Sequence, residues 1–425
     1  MTWTTTLAIC HAPDSEPRDL RAALLQEGRR CLVWSPGTAG EPAGLRQADV
    51  VIVMPTIAAQ SPLPIHRGEF PNALVLALAS GPADWADAVL HPQTAIKLIA
   101  ERVNALVRLV ILELECELRR QSLQTSAGHT LDERGLKPPA KIRALYIGGP
   151  SKDFGSLQDD LARAEIELRP VFRAGLALDE IENGLVDAVV LDAAISPQET
   201  RELSLLLRRN SDLALAPVVV LDPKGAHTGR APSLLSDIIR GTPEAGLVAA
   251  RIGQLVREGR RRRRALTVLK RVRMKEVFDP RTGLSMQAFL DAHLKTHLAA
   301  SSISGRAIIA GVFRAEPKEA LKPAEVQAVG EQIASLVARL IRAEDTAARI
   351  SDDTMAVLFP ATSEASANAA LKRIAAVLGA TRFHSGRFAE GVGVDVDWTV
   401  FYPKPEDSAS AAWTKAAADL AARAG

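Results

Sequence analysis

The sequence predicts an α/β chain in three parts: two tandem doubly wound domains, then an α+β domain. Three observations carry this reading. Short apolar runs bounded by Gly, Pro or polar residues alternate with helically spaced segments from Leu7 to Ile111. The same rhythm restarts at Lys141. From Asp279 the order changes to a strand, a helix, two closely spaced strands and a further helix. A parallel sheet covered by helices on both faces accounts for the first two patterns, because its strands read as continuous apolar runs.

In the first part Leu7–Cys10, Arg30–Trp34, Val50–Met54 and Leu74–Leu78 are the predicted strands, with helices at Asp19–Leu25 and Ile96–Ile111. The stretch from Ser122 to Pro139 is polar and rich in turn formers, the composition of a linker. In the second part Ala144–Ile147, Glu167–Pro170, Ala188–Leu191 and Val218–Leu221 are strands and Leu157–Ala164 is a helix. A helix from Pro243 closes this part and continues through Arg260–Arg264 to about Val277. The third part holds strand Ile308–Phe313, helix Gln327–Ile341, strands on both sides of Ser351–Met355, and helix Ala365–Leu378. The expected boundaries are 1–121, a linker at 122–141, 142–258, a connecting helix at 259–278, and 279–425. The first two parts are a duplication at domain scale, not a solenoid.

Composition narrows the function classes. Apolar residues make up 47% and charged residues 24%, so core size is not limiting. A net charge of +2 gives no bulk pull on nucleic acid, and 4% aromatic residues is too few for a base-stacking platform. Three cysteines, Cys10, Cys31 and Cys116, are too far apart for a metal knuckle, and three cannot all pair. No basic leader precedes an apolar run at the start, and no apolar run reaches the roughly 18–20 residues that span a bilayer. The expectation is a soluble cytoplasmic protein with no membrane insertion, no nucleic-acid partner and no metal or other cofactor.

The most informative stretch is Arg342-Ala-Glu-Asp345, five residues, Ser351-Asp-Asp-Thr-Met355, then Ala-Val-Leu-Phe-Pro360. Upstream stands Asp279-Pro-Arg-Thr-Gly-Leu284. These motifs resemble the GGDEF family of diguanylate cyclases, which join two GTP into cyclic di-GMP. The family pattern is a D-x-L-T-G-L entry, an RxxD, five residues, the GGDEF signature and an apolar strand closed by Pro. The resemblance runs from Asp279 to Gly425 and implies a nucleotidyl-cyclase-like α+β fold. Both preceding parts resemble the flavodoxin-like receiver domains of response regulators in length and element order. The whole layout is similar to PleD- and PopA-like response regulators.

The resemblance implies a catalytic site that has lost its parts. Two-metal chemistry there needs a carboxylate at the end of the first strand and another at the third signature position. A gapless alignment puts Ala310 at the first and Asp353 at the second. The guanine-recognising Asn and Asp fall on Lys318 and Gln327. The first two signature residues turn tightly against a triphosphate, which favours Gly; here they are Ser351 and Asp352. Thr354 replaces the acid at the fourth position. One remaining carboxylate does not run two-metal catalysis, so no catalytic residue is expected.

The RxxD is different. In the family this site binds a stacked pair of cyclic di-GMP molecules. An Arg fork donates to guanine O6 and N7, and an Asp accepts from guanine N1–H and its amine. Helical spacing is expected to put Arg342 and Asp345 on one face. Arg373, in Ala370-Leu-Lys-Arg373-Ile, falls where the family supplies a second guanine-binding Arg. A surface ion pair is the plain alternative for these residues.

Receiver chemistry requires an acidic pair, an acceptor Asp and a Lys-Pro. By resemblance the first part has Cys10 and His11, Met54 and His91-Pro92 at those places. The second has Gly148 and Gly149, Asp192 and Thr242-Pro243. Neither is expected to be phosphorylated. Arg260–Arg264 is read as a solvated helix face, and the eight His show no spacing suited to a metal. The expected function is a catalytically inactive, homodimeric effector that binds cyclic di-GMP and recruits unidentified protein partners. The rivals are a weak or GTP-binding pseudo-cyclase using Asp352 and Asp353, and a ligand-free scaffold.

Overall fold

The computed structural model describes residues 5–26, 29–36, 44–60, 70, 73–81, 83, 85–132, 141–149, 152–172, 186–192, 197–209, 216–222, 236–240, 246–304, 308–386, 388–404 and 408–424. The chain forms two compact units. One holds residues 6–110 and 134–264; the other holds 1–5, 111–133 and 265–425.

The first unit contains two parallel five-stranded sheets. Strands β1 (Thr6–Cys10), β2 (Arg30–Trp34), β3 (Val50–Val53), β4 (Leu74–Leu78) and β5 (Ala88–Leu90) lie in the order β2-β1-β3-β4-β5. Helix α1 (Arg18–Gln26) and the single turn α2 (Pro55–Ala58) belong to this half. Strands β6 (Ile142–Ile147), β7 (Ile166–Val171), β8 (Ala188–Asp192), β9 (Val218–Asp222) and β10 (Asp237–Arg240) repeat that order as β7-β6-β8-β9-β10. This is the flavodoxin-like arrangement, used twice. Every residue of β1, β3 and β4 is buried, as a sheet covered on both faces requires. The short strands β5 and β10 are edge strands that the apolar pattern did not mark.

Two long helices follow these sheets in the chain. Helix α3 runs Ile96–Ala127, well past Ile111 and into the stretch read as linker. Its polar end satisfies itself. Ser122 Oγ donates to Leu118 O at 2.7 Å and Ser126 Oγ to Ser122 O at 2.7 Å, so hydroxyls that favour turns are absorbed by the preceding helical turn. Between them in the chain come α4 (Lys152–Arg163) and α5 (Pro197–Arg209). Helix α6 (Leu247–Arg273) carries the arginine run. Arg262 and Arg264 of that run are exposed, as expected, but the other three are not simply solvated. Arg260 and Arg263 both pair with Asp187, at 2.8 and 3.2 Å, and Arg261 pairs with Asp87 at 3.2 Å. The two aspartates also accept strand amides, from Arg143 and Val75. The basic run is thus tied to strand ends of its own unit.

The second unit is an α+β domain. Strands β11 (Ile309–Pro317), β12 (Thr346–Arg349), β13 (Thr354–Phe359) and β16 (Val394–Phe401) form an antiparallel sheet in the order β12-β13-β11-β16, and β14 (Phe383–Ser385) and β15 (Phe388–Val392) form a hairpin. Helices α7 (Gln287–Ser304), α8 (Pro323–Leu340), α9 (Glu364–Ala380) and α10 (Ala409–Ala424) complete it. Period-two alternation divides the sheet between two cores. Ile309, Phe313, Met355, Val357 and Phe359 pack with Val329, Ile333 and Val337 of α8 and Leu371 and Ile374 of α9. Ala310, Val312, Ala356 and Leu358 pack with Leu290 and Leu294 of α7 and Trp413 and Leu420 of α10. The entry motif is a closed turn in which Thr282 Oγ1 donates to Asp279 Oδ2 at 3.0 Å and Gly283 N to Asp279 O at 2.7 Å. Gly283 sits at φ +74°, where L side chains are strained. No helix among the described residues is long and apolar enough to cross a membrane.

Candidate functional site

The signature residues form the tip between β12 and β13. Arg349 clamps it: Nε donates to Ser351 O at 3.0 Å and Nη2 to Asp352 Oδ1 at 2.8 Å. Asp353 is the hub. Its carboxylate accepts from Ser351 Oγ and Thr354 Oγ1, both at 2.8 Å, and from Arg314 Nε at 2.6 Å. Burial pushes this carboxyl up, but those hydrogen bonds hold it below its ordinary value.

The strand residue facing the tip is Arg314, not Ala310. Arg314 pairs in register with Thr354, and Ala315 N donates to Asp353 O at 2.8 Å. Ala310 pairs with Leu358 and lies fully buried under Trp413 and its neighbours, so it is a core residue away from the tip. The alignment gave no sign of Arg314, because only strand pairing defines which residue opposes a hairpin tip. Arg314 also pairs with Glu316. A guanidinium therefore stands between two carboxylates. Lys318 pairs with Asp395 at 2.8 Å and Gln327 donates to Glu331 at 3.3 Å, partners that lie away from the tip.

Arg342 and Asp345 lie on a turn, not on a helix. Helix α8 ends at Leu340, and Asp345 N donates to Arg342 O at 3.2 Å. The Asp345 carboxylate folds back, accepting from Arg342 N at 2.9 Å. It is 4% exposed, and its Oδ1 has no hydrogen-bond partner among the described residues. Burial pushes its pKa up to about 6. Arg342 is exposed. Arg373, also exposed, donates from Nη2 to Leu340 O at 3.1 Å, which brings its guanidinium to the same turn.

Beneath this turn lies a polar network that the sequence reading missed. Glu115 and Arg119 of α3 form a fully buried pair at 2.6 Å. His293 Nε2 and His297 Nε2 of α7 sit 2.9 and 3.0 Å from the two Glu115 oxygens, and Ser122 Oγ lies 2.9 Å from His293 Nδ1. Burial tends to raise the Glu115 carboxyl, but His293, Arg119 and His297 hold it well below its ordinary value. An ionised carboxylate only accepts, so each imidazole carries its proton on Nε2. Burial lowers His293 to about 4, so it is neutral at physiological pH. These are metal-ligand residue types in reach of one another. Yet Arg119 already supplies the positive charge that neutralises Glu115, and the hydrogen bonds close the set. The available signal was the four-residue spacing of His293 and His297 on one helix; Glu115, distant in sequence, carried none.

In the first unit Met54 is the cap of α2 and Cys10 is buried, its thiol pushed up to about 12 by desolvation. In the second sheet Tyr146 Oη donates to Asp192 Oδ2 at 2.6 Å. A Cβ at Gly148 would stand 2.3 Å from Asp192 Cβ, so an acidic side chain has no room beside Asp192. Thr242 and Pro243 lie outside the described residues. Acetyl phosphate is therefore expected to add no phosphoryl mass, and Asp192→Asn to change nothing. A gain of about 80 Da that is lost in Asp192→Asn would overturn this.

No family model matches the chain, and no curated protein matches it. Solved structures do. The GGDEF domain of DgcB from Caulobacter crescentus, in complex with cyclic di-GMP, is 18% identical over 36% of this chain and 92% of that one, with a TM-score of 0.30. The FimX GGDEF domain from Pseudomonas aeruginosa is 21% identical over 36% and 96%, TM-score 0.29. A response regulator from Chloroflexus aurantiacus is 18% identical over 28% and 98%, TM-score 0.26. Receiver-like parallel sheets and a GGDEF-like α+β domain fit the strand orders observed.

Proposed function

We propose that the protein is a catalytically inactive relative of the diguanylate cyclases that binds cyclic di-GMP at Arg342, Asp345 and Arg373. The observation that carries this reading is the pair of exposed guanidiniums at one turn. Neither Arg342 nor Arg373 holds an ion pair among the described residues, so the Arg342 fork and the Arg373 nitrogens other than Nη2 are available to guanine edges. Asp345 lies beside them, its buried carboxylate accepting from Arg342 N and its Oδ1 without a hydrogen-bond partner among the described residues. The signature tip supports inactivity, because Arg314 occupies the carboxylates that metal ions would need.

Calorimetry of wild type against Arg342→Ala tests the reading. Wild type is expected to bind at micromolar ligand. Loss of one bidentate Arg–guanine contact removes about 1–3 kcal/mol, so Arg342→Ala is expected to bind about tenfold more weakly or worse. No heat from wild type, or equal affinities, would leave the ligand-free scaffold as the better account.

A further inference from the structure

All four carbonyls of the turn are held by two guanidiniums. Arg273 Nη2 donates to Arg342 O at 3.3 Å and Ala343 O at 3.4 Å. Arg119 Nη2 donates to Glu344 O at 2.8 Å and Asp345 O at 3.0 Å. Arg119 is in turn fixed at Nε by Glu115, and Glu115 by His293 and His297. Four consecutive carbonyls do not collect on two side chains by helix or sheet geometry. The turn is built from underneath, by groups that come from α3 and α6.

We propose that Arg119 and Arg273 are positioning residues for the ligand turn, with the Glu115–His293–His297 cluster serving to aim Arg119. The proposal rests on the reading that cyclic di-GMP binds at this turn. It adds a regulatory consequence. The ends of α3 and α6, the helices that follow the two parallel sheets in the chain, become part of the energetics of binding. Whatever orders those helix ends improves ligand affinity, and by reciprocity the ligand orders them. Preorganisation is the physical cause, since a turn already held in its bound form loses less freedom on binding.

Arg273 is the residue to change first. It is half-buried, whereas Arg119 is 0% exposed and its loss risks the fold itself. Arg273→Ala is expected to weaken cyclic di-GMP binding about fivefold to tenfold, within the usual range of coupling between sites. Amide exchange at residues 342–346 of the ligand-free protein is expected to speed up. Arg273→Lys, which keeps one charged donor, is expected to recover part of both. A purely structural role would lower the melting temperature and leave affinity and local exchange unchanged well below it; that result overturns the proposal. If wild type binds no cyclic di-GMP while Arg273→Ala still loosens 342–346, the ligand reading fails and the positioning of the turn stands. If wild type binds and Arg273→Ala binds equally, the ligand reading stands and the positioning role fails.

Discussion

Glu115→Gln is expected to destabilise the C-terminal unit by about 3–5 kcal/mol, the usual cost of breaking one side of a buried ion pair. Arg119 is 0% exposed and its Nη1 has no hydrogen-bond partner among the described residues, so its counter-charge is Glu115. A neutral amide leaves that cation buried and uncompensated. It also offers an N–H where His293 and His297 already donate. Urea melts at pH 7.5 check the size. A change under 1 kcal/mol would mean that the network does not hold this unit together.

The same cluster gives the acid response a sign. The folded pKa of Glu115 is depressed, so its contribution is present above the unfolded value of about 4.5 and is lost as pH falls through the folded one. His293 is depressed from 6.5 to about 4, so between these values the unfolded chain binds a proton that the native state refuses. Stability is lost as pH falls below 6.5. At about 1.4 kcal/mol per unit this amounts to about 2 kcal/mol by pH 5.

Asp345→Asn is expected to raise stability by about 3 kcal/mol at pH 8 and to weaken cyclic di-GMP binding. The carboxyl is raised from 3.8 to about 6 by burial, a shift of roughly two units at about 1.4 kcal/mol each. A raised carboxyl destabilises the native state above its folded pKa. That cost fades as pH falls from about 6 towards 3.8. The amide oxygen of Asn still accepts from Arg342 N, so the turn keeps its internal bond. The ligand fares worse, because an amide N–H meets a guanine N–H, donor against donor. The slope has the opposite sign to that of His293. In wild type the Asp345 gain of about 1.4 kcal/mol offsets only part of the His293 loss at pH 5. In Asp345→Asn the loss of about 2 kcal/mol between pH 7.5 and 5 is unmasked. Melts of both proteins at the two pH values check this. Equal stability of the two at pH 8, or an unchanged acid slope, would count against a strained carboxylate.

Much of the fold was legible for reasons that are local. Val50–Val53 and Val218–Leu221 are runs of β-branched and apolar residues that only a sheet buried on both faces accommodates. Gly283 and the apolar residues after Met355 placed the entry turn and β13. The limits were also physical. Edge strands β5 and β10 are short and lack a long apolar run. The end of α3 is polar and reads as linker until its hydroxyls are seen bonding back to the helix.

By itself the sequence determined the order of elements, the presence of Ser351 and Thr354 around Asp352 and Asp353, and the spacing of Arg342, Asp345 and Arg373. These follow from residue type and short-range spacing, which a linear chain displays. Only the tertiary structure decided that Arg314 rather than Ala310 faces the tip, that Asp345 folds inward, and that Arg119 and Arg273 hold the turn. Each of these depends on strand register or on burial of charge between residues far apart in sequence. Glu115 and His293 are 178 positions apart, and neither carries a sign of the other until the helices pack.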